Sequence, residues 1–225
     1  MATLRNVTIY EDTEALSRAV ALRIDMLAQA AIEARGVFRI ALAGGLTPRR
    51  CYEFLRERPV DWVHVQIFFG DERCLPAGDK DRNDTMAFAA LIDHIDIPKA
   101  NVHTIPAELG PVAAAARYSA ELKEFDRFDL VLLGLGEDGH TASLFPGNAA
   151  CLSRALAVAV FDAPKMPSLR VSLGINTLNA ARTKLFIAAG DSKRDALRRI
   201  EHMPAGRIDD AEWHVDRAAW PNIEV

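Results

Sequence analysis

The sequence predicts an α/β protein with a mostly parallel, Rossmann-like sheet flanked by helices. Short apolar runs recur at FRIALAGG, VHVQIFFG, FDLVLLG, LAVAVF and TKLFIAAG, and such runs suit strands covered on both faces. Most end at glycine and lead into a segment of helical character, the rhythm of βαβ units. The chain has 225 residues, 50% hydrophobic and 26% charged. A chain of this size buries roughly 70% or more of its extended surface, so its core needs no staples. There is no internal repeat, low-complexity tract or long linker, and residues 1–225 are expected to form a single domain.

The first helix is set by Leu16, Val20, Ile24, Leu27 and Ala31, which repeat at three to four residues while Glu14, Arg18 and Arg23 occupy other faces. FRIALA then exits into GGLTPRRCYEFLRE. Thr47 is expected to cap the next helix and Pro48 fits its first turn, leaving Gly44 and Gly45 free for close backbone approach to a ligand. Free N–H groups would then face an anion. A plain strand-to-helix turn fits the same residues, while Arg49 and Arg50 tilt the reading toward phosphate.

VHVQIFFG exits into DERCLPAGDKDRND, where Asp71, Glu72 and Arg73 crowd the end of a strand too apolar to be exposed. Charges in such a place serve a site or form a surface ion-pair network, and the first reading is preferred. Cys74 beside them is read as packing. TKLFIAAG exits into the basic helix DSKRDALRRI, which opens with Ser192 and Lys193. A lysine in a first turn opposes the macrodipole unless an anion offsets both; Arg194, Arg198 and Arg199 read as a solvated face. AEWHVDRAAWPNIEV reads as a closing strand and short helix.

The stretch GLGEDGHTASLFPG places Gly134, Gly136 and Gly139 at the spacing of a dinucleotide fingerprint, and Asp162 lies where a ribose-binding acid belongs. That fingerprint must lead into a full helix. Pro146 follows Gly139 by only seven residues, too soon for a typical helix of about 11. The glycines instead set up His140, an imidazole at a strand's carboxyl end with Asp138 two residues before it, arranged as a general base near neutral pH. Thr141 and Ser143 share the run. Ser143 is the weaker candidate for a nucleophile, because no G-x-S-x-G elbow surrounds it.

Bulk properties exclude several classes. No apolar run nears the roughly 18 residues of a membrane helix, and MATLRNVTIY lacks a secretory pattern, so the expected location is the cytoplasm. Cys51, Cys74 and Cys151 form no even framework and suit reduced thiols. A net charge of −4 argues against nucleic acid as a partner. The six histidines show no metal spacing, so no metal is expected.

With these stretches in hand, the chain resembles the 6-phosphogluconolactonases, lactone hydrolases of the oxidative pentose phosphate pathway, nearly end to end. AGGLTPRR is similar to their sugar-phosphate loop, FFGDERCLPAGDKDRND to their G-D-E-R segment, and DLVLLGLGEDGHTASLFPG to their signature; SLRVSLGINTLNAARTKLFIAAGDSKRDAL also fits. The first and last recur in a wider superfamily that includes glucosamine-6-phosphate deaminases. Those carry a glutamate just before the proline, where this chain has Phe145, and a tyrosine after the acid pair, where it has Arg73. Both differences remove groups wanted for proton transfer between aldose and ketose.

The resemblance implies hydrolysis of 6-phospho-D-glucono-1,5-lactone without a cofactor, by a monomer or weak homodimer. It implies catalytic roles for His140, Asp138, Asp71 and Arg73, with His140 as base toward water and Arg73 on substrate oxygens. It implies that Gly44, Gly45, Thr47 and Arg49, with Arg170 and Lys193, hold the 6-phosphate. The loop departs from the family pattern at Ala43 and Leu46, where serine is common, and at Arg49, where lysine is common. The alternatives are a deaminase, or a non-catalytic sugar-phosphate sensor, for whose output module the chain has no spare segment.

Overall fold

A computed structural model describes Leu4 and residues 6–221. In chain order the elements are β1 (Val7–Tyr10), α1 (Thr13–Arg35), β2 (Phe38–Leu42), α2 (Leu46–Leu55), β3 (Val65–Phe69), β4 (Asp71–Arg73) and α3 (Asn83–Ala90). They continue with α4 (Pro111–Leu122), β5 (Leu130–Gly134), β6 (Ala157–Val160), β7 (Arg170–Leu173), α5 (Ile175–Ala180), β8 (Thr183–Ala188), α6 (Arg194–Arg198) and β9 (Glu212–Asp216). Six strands form one sheet in the order β1-β9-β8-β5-β2-β3, with every neighbouring pair parallel. A second sheet, β4-β7-β6, is antiparallel.

Local chemistry explains the ends of α1. The Asp12 carboxylate accepts the Ala15 N–H at 2.8 Å, and Gly36 closes the helix in the left-handed region at φ 73°, where a side chain would be strained. Leu16, Val20, Ile24 and Ala31 are buried and Leu27 partly so, as the apolar stripe requires. The middle strands are apolar on both faces because helices cover both: Leu130–Leu133 of β5 and Leu185–Ile187 of β8 are all at most 3% exposed.

Four sequence expectations need correction. LAVAVF does not join the parallel sheet; β6 pairs antiparallel with β7. Its other edge lies against α4, where the Ser119 hydroxyl accepts the Ala157 N–H at 2.9 Å and donates to the Ala157 carbonyl at 3.2 Å, so it is as apolar as a central strand. Thr47 is not a cap: α2 begins at Leu46, and Gly45 occupies the cap position at φ 111° without a capping side chain. The basic helix after β8 is a 3-10 turn at Asp191–Lys193 followed by the five-residue α6. β9 is the expected closing strand, but a turn at residues 217–219 follows it in place of a helix; residues 222–225 lie outside the described part.

The topology dictates where a ligand collects. From β2 the chain steps outward to β3, then returns with β5 on the other side of β2. That reversal opens a crevice at the strands' carboxyl ends.

Candidate active site

A cavity of about 350 Å³ fills that crevice. Gly44 and Gly45 border it after β2, residues 134–136 and His140 after β5, and Lys193 after β8, while β4 and β7 contribute Asp71, Arg73 and Arg170. The two sheets meet at Gly70. Its N–H donates to Leu42 of β2 at 2.8 Å and its carbonyl accepts from Leu173 of β7 at 2.8 Å.

Strand alternation sorts the acidic and basic residues of β4. Glu72 is turned away from the cavity and fully buried, accepting the N–H groups of Asn83 and Asp84 at 2.8 Å each and of Arg73 at 2.7 Å. It therefore closes the N-terminus of α3. Burial, with the Asp84 carboxylate adding to it, lifts its pKa to about 7 against those three donors. Glu72→Ala strands buried donors, each worth about 1–3 kcal/mol; a clear fall in the urea midpoint is expected, with no change in any pH profile set by His140.

Asp71 and Arg73 face the cavity. The Asp71 carboxylate accepts from the Ser143 hydroxyl at 2.6 Å and from Asn83 Nδ2 at 3.1 Å. Ser143 is thereby committed, and it is fully buried, which removes it as a nucleophile. Asn83 also fills the space that a Cβ on Gly44 would take, so that glycine is required by a protein neighbour, where the sequence reading had it clear a path for a ligand.

Arg73 and Arg170 stand directly opposite each other in the β4–β7 ladder. Like charges so placed are destabilising, and among the described residues the hydrogen bonds of the two guanidiniums run to main-chain carbonyls. Arg73 Nη1 donates to the Asp81 carbonyl at 2.5 Å, while its Nε is buried without a partner among the described residues. Arg170 donates to the carbonyls of Pro167 and Lys165 at 3.0 and 2.9 Å. Burial holds the Arg170 pKa below its ordinary value; Asp71 opposes this and Arg73 adds to it.

His140 is held by its own loop. Nδ1 lies 2.5 Å from Asp138 Oδ1, which also accepts the His140 N–H at 3.1 Å. A Cβ on Gly136 would overlap the imidazole, and Gly139 adopts φ 81° against Met203. These glycines shape a seat for a ring and not for a pyrophosphate: after β5 the chain forms a Thr141–Leu144 bridge and a 3-10 turn at Ala149–Leu152 in place of an α-helix. Burial lowers the His140 pKa even though Asp138 raises it. Burial also works against the charged Asp138, but the adjacent imidazole prevails and holds that carboxyl below its usual range. Phe145 packs its ring 4.4 Å from the imidazole.

The profile described as "Glucosamine-6-phosphate isomerases/6-phosphogluconolactonase" matches residues 11–220. The chain belongs to this family. Among its relatives, a 6-phosphogluconolactonase of Synechocystis sp. is 38% identical over 212 residues, covering 86% of this chain and 88% of that one. One from Nostoc sp. is 36% identical, covering 87% and 85%. The crystal structure of 6-phosphogluconolactonase from Thermotoga maritima is similar with a TM-score of 0.86 at 29% identity, over 94% of this chain and 99% of that one. A monomeric glucosamine-6-phosphate deaminase, at 22% identity over 95% and 98% of the two chains, shares the fold with a TM-score of 0.82.

Within this family member, the remaining candidates divide. Lys193 is half-buried at the cavity wall, and burial lowers its pKa while Glu137 opposes and Lys165 adds to the effect. The Gly190 N–H before it is held by the buried Asp216 carboxylate at 3.0 Å. Thr47 is half-buried in the first turn of α2. Arg49 does not line the cavity; its exposed guanidinium meets Glu53 at 3.3 Å, and Arg50 bridges Glu14 and Glu53. Cys74 is half-buried, with burial lifting its thiol to about 11. The sequence reading missed Lys165, which lines the cavity from the β6–β7 loop; a lysine among prolines and small residues carries no local signal.

Proposed function

We propose that the protein hydrolyses 6-phospho-D-glucono-1,5-lactone to 6-phosphogluconate in the oxidative pentose phosphate pathway, with His140 as the general base. The observation that carries the reading is one imidazole, fixed through Nδ1 by Asp138, on the wall of a cavity whose guanidiniums meet main-chain carbonyls. With Nδ1 engaged, Nε2 takes a proton from water as the oxygen attacks C1. Charge gathers on the carbonyl oxygen and is met by Arg73. The tetrahedral intermediate then expels the ring oxygen, and the imidazolium returns the proton to it. Asp138 keeps the tautomer and steadies the transient cation. The phosphate lies at the uncapped N-terminus of α2, beside Gly44, Gly45 and Thr47, with Lys193 completing the site and the Arg170 guanidinium nearby.

Phe145 supports hydrolysis over deamination: an apolar, buried ring packs on His140 where the related deaminases carry a glutamate. We read residues 1–225 as a single domain and the active unit as a monomer or weak homodimer. Three free thiols suit the cytoplasm. No helix among the described residues is long and apolar enough to cross a membrane.

The test is acid release from freshly made lactone against the spontaneous background, with glucosamine 6-phosphate and ammonia detection in parallel. Ammonia without lactone turnover would overturn the reading. The pH profile is a second check. Because burial lowers the pKa of His140, its neutral form persists below the ordinary 6.5, and kcat should fall only in acid of lower pH. Asp138→Asn removes the charge that raises the imidazole's pKa, so the acid limb shifts to still lower pH. Lost orientation lowers kcat by about 10- to 100-fold.

A further inference from the structure

The loop between β6 and β7 crosses the cavity mouth with a fixed main chain and a free side chain. Buried Arg170 pins its carbonyls at Lys165 and Pro167. The Lys165 side chain lines the cavity, and its ion pair is to Glu137 at 3.7 Å, with both groups 56% exposed. An exposed pair at that separation is worth about 0–1 kcal/mol and exchanges readily. Lys193 lines the same cavity from the turn after β8, within electrostatic reach of both Glu137 and Lys165. Three segments thus bring the two ammonium groups together with the Glu137 carboxylate, and Asp138, bonded to His140, adds a second negative charge beside Lys193. A phosphate monoester carries about −1.5 to −2 charges and three acceptor oxygens, so it outcompetes one exposed carboxylate for a lysine.

We propose that Lys165 is a second phosphate-binding lysine, which exchanges its Glu137 partner for the substrate's phosphate beside Lys193. Glu137 is then an internal competitor: it keeps Lys165 at the mouth and takes it back as the product leaves. The substrate's name rests on the lactonase reading; the phosphate chemistry does not. The four-carbon stem of lysine gives the reach for the exchange.

Lys165→Met keeps the stem and removes the charge. It should raise KM for the phosphorylated lactone about tenfold, with kcat within about twofold. It should also cut the preference for that lactone over unphosphorylated glucono-1,5-lactone about tenfold. Calorimetric titration with inorganic phosphate, which needs no turnover, should show weaker binding to Lys165→Met and binding about threefold tighter to Glu137→Gln. Unchanged phosphate affinity and substrate preference in Lys165→Met would overturn the proposal. So would weaker phosphate binding by Glu137→Gln, or a Lys165→Met defect in kcat alone, which would place the ammonium at the reacting carbon. If the unmodified protein fails to open the lactone, the lactonase reading falls, while the titration still decides the role of Lys165.

Discussion

His140→Ala is expected to lower kcat on fresh lactone by about 10² to 10⁴, the usual worth of a positioned general base. The fold should survive. The imidazole side chain is 18% exposed and contributes its contacts to Asp138 and Phe145, so its loss leaves a small, solvent-reachable gap and not a sealed void. The deficit should sit in kcat, with KM for the phosphorylated lactone little changed, because the residues proposed to hold the phosphate lie on other segments. Rates must be compared with the uncatalysed reaction, since δ-lactones open unaided. Near-normal turnover by a purified, folded variant would remove the proposed base.

Gly136→Ala should be nearly as damaging and for a different reason. The backbone at this residue is not left-handed, so alanine fits the main chain. Its Cβ, however, would overlap Nδ1 and Cε1 of His140 and meet Asp138 Oδ1. These are side-chain atoms, so the protein folds and the imidazole–carboxylate pair moves aside. A displacement near 1 Å costs about 10²-fold in rate. The expected outcome is an unchanged or slightly raised Tm together with a kcat loss of that order. An active Gly136→Ala protein would mean that the ring's position is not what the reaction depends on.

Much of the fold was legible because its signals are local. The period of α1 and the apolar runs of β2, β3, β5 and β8 are each set by burial of one short segment. β6 was misplaced because burial against α4 and burial inside a parallel sheet select the same residues. β4 and β7 are three and four residues long and carry charges, so neither period nor composition marks them. The site divided in the same way. His140 and Asp138 are neighbours in the chain, and their glycines announce them. The confrontation of Arg73 with Arg170 exists only through the pairing of distant strands, and Glu72 was separated from Asp71 and Arg73 only by the pleat. Thr47 was misread as a cap because a glycine with positive φ started the helix earlier.

Gly70 gives one amide hydrogen to the large sheet and one carbonyl to the small sheet, so His140 and the facing guanidiniums ride on separate plates joined there. The gap between them is a caliper setting, fixed by how the plates are bolted together and not by the reach of any flexible arm. Ser143, three residues after the imidazole, is bonded to Asp71 and Ser172 of the small plate, so a lineage that tilts that plate resizes the gap and carries the imidazole's loop with it.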